Sequence, residues 1–255
     1  MERTSGTGAQ PERGRAFAAA RHADGASRTV AAVRATGGGA PSHRRPIVAV
    51  LAVQGAFVEH ERKLAQLGAN CVELRQRPDL EKPFDALVLP GGESTVQGKL
   101  LCELGMLEPL RERVAGGLPV LATCAGMILL AERVAQGDGP YLATVPMTVR
   151  RNAYGRQLDS FRTEGEVAGI GQVPMTFIRA PYVESVRPGA EVLAEVDGKA
   201  VAVRSGNQLA LSFHPELDLS DAVHEAFLGM IGQGAKPGRQ SLTTTPKRRA
   251  MPAAW

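Results

Sequence analysis

The chain has 255 residues, 44% hydrophobic and 22% charged, which fits a globular protein and excludes a chain too polar to build a core. A formal charge of +4 would suit a nucleic-acid binder, but the excess sits at the ends: residues 1–45 carry eight Arg against three acids and 236–255 five Lys/Arg against none, leaving 46–235 at 17 basic and 23 acidic residues, a net of −6. Three cysteines without C-x-x-C spacing exclude a disulfide scaffold and a zinc site and point to a reducing cytoplasm, and apolar runs as short as 47–53 exclude a membrane helix.

Residues 1–45 are Arg-, Ala- and Gly-rich and acid-poor, a composition shared with organelle transit peptides; they read as a disordered extension or as the product of an upstream start codon. From Pro46 the pattern changes. "IVAVLAV" (47–53) is a continuous β-branched apolar run, the mark of a strand buried on both faces. "FVEHERKLAQLG" (57–68) places Phe57, Leu64 and Leu67 on one side of a helix, with Gly68 as a stop signal. "NCVELR" (70–75) and "FDALVLPGG" (84–92) predict two more strands. Helical patterning covers 94–104 and 107–115. "LPVLATC" (118–124) predicts a fourth strand and "AGMILLAERVA" (125–135) a helix after it. The second half carries shorter alternating strands over 147–161, 173–186 and 191–217, with an Asp-Gly hairpin signal at 197–198. A last helix is expected near 220–231, and 233–255 reads as a disordered basic tail.

Strand and helix alternating with short links predict an α/β fold. The expected form is a three-layer sandwich with a mostly parallel central sheet flanked by helices, plus short antiparallel hairpins in the second half, all within one domain over 46–232. Ligands in such sheets bind at the carboxyl ends of strands. Three turns fall there: Gln54-Gly55, Pro90–Ser94 and Thr123–Gly126.

Cys124 stands between a buried strand and a helix opening with Ala125 and Gly126. Helix N–H groups and the dipole favour thiolate over thiol, and small neighbours permit a tight strand-to-helix elbow. A nucleophilic cysteine needs a base and a group to orient it. "SFHPEL" (212–217) offers both: Pro215 disfavours a helical His214, so His214-Pro215-Glu216 is expected to run extended, with His214 and Glu216 on the same side. None of the other histidines, His60 and His224 included, has a carboxylate at that spacing beside a proline. In "LPGGES" (89–94), two glycines let the backbone approach a ligand closely.

Six motifs occur in order: "LAVQGAFVEH", "LVLPGGEST", "ATCAGMILLA", "RRNAYGRQLDSF", "FIRAP" and "SFHPEL". Over about residues 46–232 the set resembles the glutaminase subunits of pyridoxal 5′-phosphate synthase, a branch of the class I, triad-type glutamine amidotransferases. "RRNAYGRQ" and "FIRAP" mark this branch. Relatives serving anthranilate, carbamoyl phosphate or guanylate synthesis typically carry Gln shortly after the nucleophile's Gly, where this chain has Met127 and Ile128. "YLATVPM" (141–147) is less typical of the branch, and the two extensions have no counterpart in it.

The resemblance implies a Cys124–His214–Glu216 triad that hydrolyses L-glutamine to L-glutamate and ammonia without cofactor or metal. It implies an oxyanion hole at Gly92 and Ala125, and glutamine binding by Gly92, Glu93, Ser94, Arg151, Ile178 and Arg179. It also implies a partner, a (β/α)8-barrel synthase subunit in a large hetero-oligomer that receives the ammonia to make the vitamin B6 cofactor, with Gln54 in the activation switch. The alternatives are a glutaminase serving another acceptor, a γ-glutamyl hydrolase-like peptidase, and a non-catalytic regulator of the same fold.

Overall fold

The computed structural model describes residues 44–135, 137–151 and 160–232. All of the N-terminal extension but residues 44 and 45, the whole of 233–255, and 152–159 of the "RRNAYGRQLDSF" motif lie outside the described residues. The first half reads β1 (Ile47–Leu51), α1 (Phe57–Gln66), β2 (Asn70–Leu74), β3 (Ala86–Leu89), α2 (Ser94–Glu103), α3 (Leu107–Ala115), β4 (Val120–Thr123) and α4 (Ala125–Leu130). The second half continues with β5 (Ala131–Val134), β6 (Val145–Arg150), β7 (Ser160–Val167), β8 (Gly171–Ile178), β9 (Tyr182–Val186), β10 (Glu191–Val196), β11 (Lys199–Ser205), β12 (Gln208–Leu211) and α5 (Ala222–Met230).

The main sheet runs β2-β1-β3-β4-β12-β11-β9-β6-β5, with β10 paired to β11. Its first five strands are mutually parallel. The rest pair antiparallel except β5 with β6. β7 and β8 form a separate antiparallel ribbon. The parallel strands are apolar at every position because both faces are covered. Ala49 and Leu51 of β1 enter one core, Val48 and Val50 the other. The first core takes Leu101 of α2 and Leu110 and Val114 of α3. The second takes Leu64 of α1, Val223 and Phe227 of α5, and Met175 and Phe177 of β8. These are the three layers expected from the sequence. No helix among the described residues is long and apolar enough to cross a membrane.

One element differs from expectation. The helix anticipated over 125–135 ends at Leu130, and Ala131–Val134 forms β5. Ala-Glu-Arg-Val has good helix propensity, but here tertiary pairing overrides it. The last carbonyls of α4 are taken by a loop rather than by another helical turn: Leu142 N–H donates to Leu129 O at 2.9 Å and Thr144 N–H to Leu130 O at 3.0 Å. The chain then pairs with β6.

β1, β3, β4 and β12 all present their carboxyl ends at one edge, since they are parallel neighbours in register. The helix α4 leaves that edge pressed against β3. A Cβ on Gly126 would stand 2.1 Å from the Leu89 carbonyl oxygen, which is backbone and cannot swing away. Gly126→Ala is therefore predicted to destabilise the fold by about 1–3 kcal/mol in urea unfolding. Gly229→Ala in α5, where an added Cβ meets nothing within 4 Å, should be neutral or stabilising by up to about 1 kcal/mol.

Candidate active site

A cavity of about 380 Å³ opens at that edge. Ten of the eleven residues singled out in the sequence line it: Gln54, Gly92, Glu93, Ser94, Cys124, Ala125, Arg151, Ile178, Arg179 and His214. Glu216, the eleventh, lies behind His214 with its side chain fully buried. A larger recess of about 1000 Å³ sits at the amino ends of β3 and β4, beside Phe84, Asp85 and Leu118. Its lining among the described residues has no thiol, hydroxyl or imidazole.

Cys124 joins β4 to α4 with φ 48° and ψ −101°, a conformation that costs a non-glycine residue on the order of 1–3 kcal/mol. Its N–H donates to the Leu211 carbonyl of β12 at 2.7 Å, which holds the elbow against the sheet. The N–H groups of α4's first turn, Ala125 among them, have no intrahelical acceptor.

His214 follows β12. Its N–H donates to the Thr176 carbonyl of β8 at 2.8 Å, so the side ribbon braces it. His214 itself is non-helical (φ −111°, ψ 80°), as the following proline requires. Beyond it the expected extended run is overturned: Pro215–Leu217 close a turn of 3₁₀-helix. That turn folds the Glu216 carboxylate back onto its own histidine, with Oε1 2.7 Å from Nδ1. Burial opposes a charge on His214, but its hydrogen bonds to Cys124 and Glu216 outweigh burial and push the imidazole up to about 10. Burial likewise raises Glu216, and the histidines at its two oxygens, His60 and then His214, outweigh it and hold the carboxyl below its usual range.

The glycine loop after β3 has no room for side chains. A Cβ on Gly91 would lie 2.3 Å from His214 Cε1, and one on Gly92 2.5 Å from Gln54 Oε1. Gln54 Oε1 accepts from the Glu93 N–H at 2.8 Å, and Gln97 Nε2 donates to the Gln54 carbonyl at 2.9 Å. The β1 turn thus clamps the loop. Arg151 reaches in from the end of β6, donating to Glu93 Oε1 at 2.6 Å and Thr95 Oγ1 at 2.9 Å. Burial opposes the Glu93 charge, but the Val96 and Thr95 N–H groups and Arg151 outweigh it and hold the carboxyl low. Ser94 Oγ is buried against the cavity and has no hydrogen-bond partner among the described residues.

A family model described as the SNO glutamine amidotransferase family matches residues 50–233. The chain belongs to that family. It is 59% identical over 187 residues to the pyridoxal 5′-phosphate synthase subunit PdxT of Desulfitobacterium hafniense (strain Y51), covering 73% of this chain and 94% of that protein. It is 53% identical over 184 residues to the protein of the same name in Methanocorpusculum labreanum, covering 72% and 97%. A crystal structure described as a glutamine amidotransferase superposes with a TM-score of 0.69 at 44% identity, covering 72% of this chain and 98% of its own.

No local pattern in the sequence assigns a role to two histidines under the cavity. His60 of α1 and His224 of α5 are fully buried, with His60 Nδ1 3.0 Å from His224 Nε2. His60 Nε2 lies 3.1 Å from Thr123 Oγ1 and 3.3 Å from Glu216 Oε2. The available signal was helical spacing: His60 falls on the Phe57–Leu64 stripe, and His224 beside Val223 and Phe227. Burial lowers both rings, His224 to about 3. His224 therefore takes up a proton in the unfolded chain as the pH falls below about 6.5 but stays neutral in the folded chain down to about pH 3, so stability drops as the pH falls; His60, also lowered, acts in the same direction. His214, raised, is protonated in the folded chain throughout and in the unfolded chain only well below pH 6.5, so it opposes that slope near pH 6.5 and adds none by about pH 5; Glu216, lowered, joins near and below its unfolded value of 4.5. Between about pH 5.5 and 4.5 the unfolding free energy is predicted to drop, on account of His224, by up to about 1.4 kcal/mol for each unit the pH is lowered. His224→Gln should flatten the slope seen by urea unfolding; an unchanged slope contradicts the assignment.

Proposed function

We propose that the chain is the glutaminase subunit of a pyridoxal 5′-phosphate synthase, acting through Cys124, His214 and Glu216 within a catalytic unit of residues 46–232. The observation that carries this reading is the juxtaposition of thiol, imidazole and carboxylate at one cavity, with His214 Nδ1 2.7 Å from Glu216 Oε1 and its other face turned to Cys124. Family membership supplies the substrate class. The name shared by the relatives at 53–59% identity supplies the partner.

Cys124 Sγ attacks the side-chain amide carbon of L-glutamine, and the C–N bond breaks as His214 gives its proton to the leaving nitrogen. Ammonia departs and a γ-glutamyl thioester remains. Water, deprotonated by His214, then attacks the thioester and releases L-glutamate and the thiol. Glu216 fixes the imidazole's tautomer and offsets its charge. The N–H groups of Gly92 and Ala125 receive the tetrahedral oxyanion, each worth about 3 kcal/mol in the barrier. Arg151, positioned by Glu93 and Thr95, and the free Ser94 hydroxyl face the amino-acid end of the substrate, with Ile178 and Arg179 closing the opposite wall. A guanidinium suits the α-carboxylate.

The ammonia passes to the synthase subunit, sheltered from protonation in bulk water. Gln54, which clamps the glycine loop through the Glu93 N–H, relates partner docking to the oxyanion hole. No cofactor or metal is required, and the setting is cytoplasmic, in keeping with three free cysteines.

Cys124→Ala is predicted to abolish glutamate release, a loss on the order of 10⁴-fold or more, while leaving the fold and synthase binding intact. Wild-type turnover should rise when the synthase subunit is added. Retained turnover by Cys124→Ala contradicts the mechanism, and indifference to the synthase contradicts the partner.

A further inference from the structure

The carboxylate of Glu216 has two oxygens, and the reading above uses one. Oε1 accepts from His214 Nδ1. Oε2 is buried and accepts no hydrogen bond among the described residues, and His60 Nε2 lies 3.3 Å from it. The same nitrogen lies 3.1 Å from the hydroxyl of Thr123, the residue before Cys124. His60 therefore stands between the carboxylate and the foot of the nucleophile's elbow, on a helix separate from both.

The proton positions follow by elimination. A bare Nε2 lone pair facing a carboxylate oxygen would be repulsive, so His60 carries its proton on Nε2. Its Nδ1 is then an acceptor, and His224 Nε2, 3.0 Å away, must be the donor. That leaves His224 Nδ1 without a proton, consistent with its having no hydrogen-bond partner among the described residues. The ionisable groups acting on His60 are Glu216, His214, Glu59, Lys63 and His224, and burial keeps the ring neutral among them. It is a dipolar donor, and the positive charge opposite Glu216 belongs to His214.

We infer that His60 is a positioning residue for the glutaminase reaction, its Nε2–H held by Thr123 and its positive edge packed against the outer oxygen of Glu216, with His224 fixing the tautomer. The inference rests on the proposed roles of Cys124, His214 and Glu216. A carboxylate held at one oxygen can rotate about its last bond and let the imidazole turn with it. With the other oxygen packed against that edge, it keeps the His214 ring aimed at Cys124. The effect is on the chemical step, because His60 does not line the substrate cavity.

Two substitutions separate positioning from packing. In His60→Gln the side-chain amide nitrogen reaches the place of the imidazole Nε2. In His60→Asn the shorter amide reaches only the place of Nδ1, where it still accepts from His224. In the full chain assembled with its synthase subunit, His60→Asn is expected to lower kcat by about tenfold or more, the scale of one hydrogen bond to a charged group, with KM for glutamine within about twofold. His60→Gln should recover most of that loss at a melting temperature close to that of His60→Asn. Wild-type kcat in both variants overturns the inference, as does a loss in both that follows the melting temperature without rescue by Gln. An inactive wild-type complex would instead overturn the functional reading itself, so the two failures are distinct.

Discussion

A cysteine held at φ 48° is the constraint on which the rest of the structure depends. An L-residue leaves that conformation unless its surroundings forbid it. Here three features do. The Cys124 N–H is tied to Leu211 of β12, β4 is locked in parallel register between β3 and β12, and Gly126 brings α4 against the end of β3 too closely for any side chain. The strain turns the thiol out of the sheet into the cavity. The same parallel ladder that enforces it also delivers His214, which stands three residues after the end of β12. Cys124 and His214 thus meet because their strands are hydrogen-bonded neighbours, although 90 residues separate them in the chain.

Around that pair the charges form a graded series. His214 is the one histidine of the cluster whose partners overcome burial; His60 and His224 are kept neutral by it. The site therefore concentrates a single positive ring beside a single buried carboxylate, with neutral dipoles behind them. Two charges there without such dipoles would face a desolvation cost larger than their attraction repays.

Much of this was legible in the chain. Continuous apolar runs such as 47–51 and 120–123 mark strands covered on both faces, and such strands dictate both the layers and the functional edge. Gly91 and Gly92 mark in the sequence a loop open to close approach of a ligand, and in the structure His214 and Gln54 also stand too close to it for a Cβ. The errors arose where distant contacts decide local structure. Ala131–Val134 looks helical until β6 and the loop at 142–144 claim its backbone. His214-Pro215-Glu216 looks extended, yet a 3₁₀ turn brings the carboxylate to the ring more closely. His60 was passed over because its partners lie 63 and 164 residues away, and no local pattern distinguishes a histidine on an apolar stripe from packing.

The most direct measurement is covalent labelling of the full chain with a glutamine-like electrophile, located by peptide mass spectrometry with and without excess L-glutamine. The account predicts one adduct, on Cys124, suppressed by glutamine and reduced in His214→Ala. Labelling confined to the exposed Cys102 or to Cys71, or labelling of Cys124 that glutamine does not suppress, would contradict it.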